Sequence, residues 1–217
     1  MATKMSTRPE MIPAAEIFVS RVRDLFSKGL DEREIWTEAC DHLRDLLADD
    51  QLKRHAETWP DSLAVEGKPG NLLFYEDPDY GFVLNALIKA PKLKTSVHDH
   101  GKSWTLYGVL EGGESVTRFL RTDSGPQVPG RATLEEAGTH DVVPGYIDFV
   151  PPWEIHQETN TDQRTIGFIV RSQRSGTFVQ NRFNRESGEV DQYDGPVQMA
   201  YHLSLKSGLK PRTENLA

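Results

Sequence analysis

The residues best suited to chemistry are three histidines. His98 and His100 flank Asp99 directly after a strand-like run. In a strand, residues i and i+2 project to the same side, so the two imidazoles point together and can share one metal ion. Two ligands leave a coordination sphere half empty, so a third must come from elsewhere in the chain. His156, in PPWEIHQETN, is the candidate, because it follows a second strand-like run at 146–150. An HxH pair alone is a pattern that surface histidines make by chance. With a distant strand-end histidine preceded by Gly145 and Pro151 it becomes specific. Three neutral imidazoles leave an ion its full +2 charge, which favours an anionic, chelating substrate. The set suits Fe(II), with open positions for a substrate and O2, and equally Zn2+ with an activated water; Ni and Mn stay open.

The elements that must position these groups change in texture along the chain. Residues 1–13 form a polar N-terminus expected to be disordered. Residues 14–60 read as a helical segment. Ala15, Phe18, Val22 and Leu25 recur at helical spacing before Gly29. Asp31 and Glu34 make a capping box, and Trp36, Ala39, Leu43, Leu46 and Leu47 form one core-facing stripe, which predicts a helix over 32–48. Residues 61–202 show short apolar runs broken by turn residues, with strands expected over 81–90, 104–110, 115–121, 146–150 and 165–171. EGGE at 111–114 reads as a hairpin turn, and 122–130 as a Gly/Pro loop. Residues 203–217 read as a loose tail. The expected class is mainly β, a sandwich or barrel with an N-terminal helical segment.

Bulk properties narrow the partners. The 217-residue chain carries a net charge of −8, against nucleic acid as the main partner. No apolar run approaches the roughly 18 residues of a membrane span, and the start lacks an apolar signal region. The single cysteine, Cys40, excludes an internal disulfide. A cytoplasmic location is expected.

The motif spacings resemble the cupin family. The second cupin motif is matched by Gly145, YIDFV, Pro151, His156 and Asn160; only its inner Gly departs, replaced by Trp153. The first is matched by His98, His100 and Gly112, but Trp104 and Thr105 stand where its Glu would lie. A cupin without that Glu and with three histidines resembles the cysteine dioxygenase and mercaptopropionate dioxygenase group. HDHGKSWTLYGVLEG, LFYEDP, DEREIWTEA and FNRESGEVDQY are similar to segments of that group, so the resemblance covers about residues 15–195. It implies a double-stranded β-helix (jelly-roll) barrel, Fe(II) held by His98, His100 and His156, and oxidation of a small thiol to a sulfinate with O2. A homodimer is a further expectation from the fold.

Two departures bear on the substrate. The family's carboxylate-binding Arg would lie near Gly70-Asn71-Leu72, where none stands. Its Ser-His-Tyr relay would fall at Gly167, Ile169 and Arg171. Arg171 could itself hold a substrate carboxylate, or cap a strand end in solvent. These changes imply a substrate other than plain cysteine, or a rearranged pocket. Trp104 and Tyr107 are candidates for the pocket wall, with core packing the alternative. Asp99 should face away from the metal, in a salt bridge or in solvent. Asn160 is expected to hold the His156 loop. His140 reads as a surface residue, and His42, His55 and His202 as non-ligands. Cys40 reads as half-buried rather than reactive, and Thr105 in place of a Cys excludes a Cys–Tyr crosslink. Besides a thiol dioxygenase, a metal-dependent oxygenase or hydrolase acting on a non-thiol chelator and a non-catalytic ligand-binding cupin remain open.

Overall fold

The computed structural model describes residues 11–61, 64–65, 68–123 and 130–203. Three helices open it: α1 Pro13–Ser27, α2 Glu32–Ala48 and α3 Asp50–Ala56. Pro13 starts α1 with a φ already suited to a helix. Asp31 caps α2 by accepting from the Glu34 amide at 2.8 Å, while Glu34 Oε2 accepts from the Asp31 amide at 2.9 Å. The stripes meet the expected core: Phe18, Val22 and Leu25 on α1, and Trp36, Leu43 and Leu46 on α2, are buried. Each such side chain contributes roughly 1.5–3 kcal/mol of burial free energy. No helix among the described residues is long and apolar enough to cross a membrane.

Among the described residues fourteen strands follow: β1 Ala64–Val65, β2 Lys68–Glu76, β3 Val83–Lys89, β4 Val97–His98, β5 Thr105–Glu111, β6 Glu114–Arg121 and β7 Gly130–Arg131, then β8 Leu134–Val142, β9 Ile147–Val150, β10 Ile155–Asn160, β11 Thr165–Arg171, β12 Gln180–Phe183, β13 Glu189–Tyr193 and β14 Val197–Ala200. They form two sheets. One runs β1-β2-β3-β11-β5-β9, with β14 against β2; the other runs β7-β13-β12-β4-β10-β6-β8. From β3 to β6 and again from β8 to β12 the chain crosses to the other sheet at every step. All pairings are antiparallel except β14 with β2. This alternation is the double-stranded β-helix, and the fold is a mainly β cupin-type barrel with N-terminal helices.

The helices cover the outer face of the first sheet. Ile166, Phe168 and Val170 of β11 and Leu106 of β5 join the helical core, while Gly167, Ile169 and Arg171 point into the barrel. Every residue of β11 is buried, which is why it reads as a continuous apolar run.

Several expectations need correction. EGGE is not a hairpin turn: β5 and β6 lie in different sheets, and the glycines carry the chain across. Gly112 has φ +80°, and a Cβ there would come within 2.4 Å of the Arg164 carbonyl. A turn-rich tetrapeptide suits both connections, and only nonlocal pairing separates them. Residues 11–13 are ordered: Ile12 is fully buried, and its amide donates to the Leu203 carbonyl at 2.8 Å. Leu203 is likewise buried, so the barrel's end is tied to the helices rather than loose. Residues 1–10, 204–217 and most of the 122–130 loop lie outside the described residues.

Candidate metal centre

His98 ends β4, His156 is the second residue of β10, and the two are direct partners across the antiparallel pair. His100 follows two residues after His98, and all three are buried. One nitrogen from each lies within 4.8 Å of the others. The backbone selects the tautomers: His98 Nδ1 lies 3.0 Å from the Ser96 carbonyl and His156 Nδ1 3.0 Å from the Glu154 carbonyl. A carbonyl only accepts, so Nδ1 carries the proton and Nε2 keeps a lone pair for an ion. His100 Nδ1 is buried with no hydrogen-bond partner. Burial, reinforced by Arg171, pushes the His100 pKa well down, and burial with the neighbouring His98 takes His156 to about 3. Neutral imidazoles are the form that binds metal, so the donor set fits a divalent ion.

The triad opens into a cavity of about 460 Å³ inside the barrel. Arg171, at the end of β11, lines it. It is not a solvent-exposed strand cap: it is buried, its Nη1 donates to Ser175 Oγ at 2.7 Å, and its Nε has no partner. Burial lowers its pKa, and it forms no ion pair among the described residues. Its cross-strand neighbour Thr105, also on the cavity wall, has a buried hydroxyl without a partner. Tyr107 lines the cavity as well, and burial beside Glu114 raises its phenol pKa well above the ordinary value, so it remains an O–H donor. Gly167 makes room for it: a Cβ there would lie 2.4 Å from the Tyr107 hydroxyl.

Trp104 is not brought to the site. Its indole packs on Phe149 and donates to Glu32 of α2 at 3.0 Å, because residue 104 falls on the helix-facing side of the sheet. Asp99 faces away from the triad as expected, but it is buried rather than exposed or salt-bridged. Its carboxylate accepts from the Gly101 and Asn181 amides and from Asn181 Nδ2. Asn160 holds a different segment from the one expected: its Nδ2 donates to the Ala90 carbonyl at 2.8 Å. Trp153, in the place of the motif glycine, takes φ 65° and donates its amide to the Gly101 carbonyl, joining the two metal-bearing loops. His140 is half-exposed and paired with Asp148, and His55 is buried, accepting from Trp59 Nε1. Cys40 is half-buried, and burial takes its thiol to about 11, away from reactivity.

The sequence reading missed a group beside the triad. Glu158, two residues after His156 and on the same face of β10, places Oε1 3.8 Å from His156 Nε2. Its Oε2 accepts from Thr95 Oγ1 at 2.6 Å. The same i+2 rule that paired His98 with His100 could have found it. Behind it, Lys89 and Glu114 form a buried ion pair at 2.6 Å. Burial opposes the Lys89 charge, but Glu158 and Glu114 outweigh it and raise the Lys89 pKa. Burial raises Glu114, whereas Lys89 and the histidines hold Glu158 ionised against its own burial. Tyr193 also lines the cavity, with the Arg182 guanidinium 3.8 Å over its ring.

No protein-family model and no curated protein matches the chain. Solved structures similar to parts of it include Peruvianin-I, a cysteine peptidase from Thevetia peruviana latex, at 18% identity over 42% of this chain and 49% of that one, with a TM-score of 0.32. A recombinant oxalate oxidase in complex with glycolate is 18% identical over 42% of each chain, TM-score 0.34. The Cnp3 cupin domain of Schizosaccharomyces pombe is 10% identical over 48% of this chain and 64% of its own, TM-score 0.37. This chain spans less than two thirds of each of these proteins.

Proposed function

We propose that this chain is an Fe(II)-dependent dioxygenase that oxidises the sulfur of a small thiol bearing a carboxylate. The observation that carries the reading is a buried Arg171, without an ion pair among the described residues, in the same cavity as three converging imidazoles. Of the two buried cations on the cavity wall among the described residues, Lys89 is paired with Glu114, which leaves Arg171 for a substrate anion. Arg171 and Thr105 would bind the carboxylate, and its guanidinium fits a planar anion in two parallel hydrogen bonds. Tyr107 would donate its O–H toward the bound substrate. Leu87, Val116, Val150 and Ile169 on the cavity wall keep water from the reacting sulfur. Ferrous iron held by His98, His100 and His156 supplies the redox chemistry. The reaction balances as one thiolate and one O2 giving one sulfinate: two S–O bonds form, the O–O bond breaks, and sulfur loses the electrons that dioxygen gains.

Iron-loaded protein in an oxygen electrode, with thiols that carry or lack a carboxylate and the product weighed by mass spectrometry, tests this. Carboxylate thiols should drive O2 uptake and appear as sulfinates. Arg171→Gln should raise their KM by roughly 10–100-fold, the worth of a charge-assisted hydrogen bond of about 1.5–3 kcal/mol. No uptake with any thiol by an iron-loaded protein overturns the reading. A metal-dependent oxygenase or hydrolase acting on a non-thiol chelator would then take its place. What favours that second reading is Gly167 and Ile169 where the thiol dioxygenases have their relay, and the added carboxylate of Glu158.

A further inference from the structure

We infer that the cavity holds a second ligand subsite, on the sheet facing the triad, that takes a neutral amide group. The inference rests on the reading of Arg171 as a carboxylate clamp and adds a chemical class to the substrate. Leu72 of β2 and Ala86 of β3 are cross-strand partners in the core beneath the helices. Their neighbours Asn71, Asn85 and Leu87 therefore face into the barrel. Met199 of β14 packs against the same core, so Gln198 beside it also faces in, level with its partner Asn71. Asn71 is 1% exposed, Asn85 0% and Gln198 5%. Asn71 Oδ1 and both amide atoms of Asn85 and of Gln198 have no hydrogen-bond partner among the described residues. Asn71 and Leu87 line the cavity, and Asn85 and Gln198 flank Asn71 on the same inward face.

Buried amides are costly to leave without partners, and three of them gather on this wall. They carry no charge, so an ion is a poor match: an anion satisfies only their N–H groups, and a cation only their oxygens. A ligand amide, with one N–H and one carbonyl, satisfies both, and Asn71 Oδ1 needs a donor. The plainer alternative is ordered water, which fills polar cavities in the same way but favours no ligand over another. The cavity, at about 460 Å³, is of the size that drug-sized ligands occupy, well beyond a three-carbon thiol acid. The subsite also lies apart from Arg171. Asn85 stands opposite Ile169, and Leu87 opposite Gly167, four residues before Arg171 on β11. Asn71, beside Leu87 and one strand further, is then roughly 16 Å from Arg171 along the sheet, backbone to backbone. The long Arg171 side chain covers part of that span. A ligand that reaches both groups has several bonds between its carboxylate and its amide. The substrate class is an elongated thiol acid with an amide toward its far end.

The test titrates the full-length, zinc-loaded protein by calorimetry with two ligands that have no thiol, so that turnover plays no part. One is N-acetyl-ε-aminocaproate, a carboxylate with an amide at the far end of its chain. The other is the ketone in which a methylene replaces its N–H. The ketone keeps the carboxylate and the carbonyl but gives Asn71 Oδ1 no donor. The amide should bind about tenfold more tightly than the ketone, the worth of one hydrogen bond with its buried partner otherwise left unpaired. In Asn71→Leu that preference should vanish. Equal binding of the two ligands by the wild type overturns the inference, as does a full preference retained in Asn71→Leu. Mercaptopropionate, a thiol acid without an amide, separates the two readings. If it binds and neither long ligand does, the subsite alone falls. If it too fails to bind, the carboxylate clamp falls, and the subsite with it. Should Asn71→Leu fail to fold, a crystal structure of the wild type with the amide ligand decides. An amide nitrogen within about 3.2 Å of Asn71 Oδ1 supports the subsite, and a bound ligand whose amide lies away from Asn71 and Gln198 refutes it.

Discussion

Replacing Lys89 with methionine should destabilise the protein far more than removing both partners of its ion pair. The Lys89 and Glu114 side chains are 2% and 0% exposed and 2.6 Å apart. Lys89→Met keeps the volume of the stem but strands the Glu114 carboxylate in the barrel, with Glu158 the next charge. Breaking a buried pair in this way costs about 3–5 kcal/mol. In a domain of this size each kcal/mol moves Tm by roughly 2–4 °C, so a drop of about 6–20 °C follows. Lys89→Met with Glu114→Gln leaves no stranded charge at position 114 and should recover most of that loss. The pH dependence has a definite sign. Glu114 is already raised above its ordinary value by burial, and losing Lys89 raises it further. A carboxyl whose folded pKa exceeds its unfolded one gives stability that is present at low pH and lost as pH rises through the folded value. The deficit of Lys89→Met should therefore be smaller at pH 5 than at pH 8. Urea unfolding of the wild type and the single and double variants at both pH values reads all of this. A single-variant loss below about 1 kcal/mol, a double variant no better than the single, or a deficit that grows toward acid would refute the reasoning.

At position 153 the backbone φ of 65° disfavours any side chain. Trp153→Gly and Trp153→Ala lose the same indole, but only glycine relieves the backbone, so the glycine variant should be about 1 kcal/mol more stable by chemical denaturation; an alanine variant as stable as the glycine one would rule out the strain. His156, depressed to about 3 from an ordinary 6.5, binds fewer protons folded than unfolded below pH 6.5. Metal-free protein should therefore lose stability steadily as pH falls from about 6.5 toward 3, seen as a falling Tm, and His156→Gln should flatten that slope. An unchanged slope would place the acid sensitivity elsewhere.

Much of this protein was legible in order. Periodicity and the Asp31–Glu34 box placed α2 at its observed bounds, and short apolar runs bounded by turn residues placed β5, β6, β9 and β11 within a residue or two. Helix caps and strand runs are local, so a sequence carries them openly. The metal triad was legible for a related reason: i+2 spacing gives a shared face on a strand, and the Gly–Pro–His spacing marked the second ligand-bearing segment.

What the sequence left open depended on which face and which sheet each residue met. Trp104 and Tyr107 are equally aromatic and three residues apart, hence on opposite faces, yet nothing local says which face looks into the barrel. EGGE holds the residues of a hairpin turn, but whether β6 pairs with β5 is settled by β8 and β10 lying beside it instead. Arg171 became an interior cation because β11 is the central strand, covered by helices outside and by the second sheet within. Glu158 lies beside His156 by i+2 spacing, but it came near His98 only when β10 paired with β4. Local chemistry thus determined the three histidines and the elements that carry them. Long-range pairing decided the charges around them, because burial and neighbouring charge exist only once the two sheets face each other.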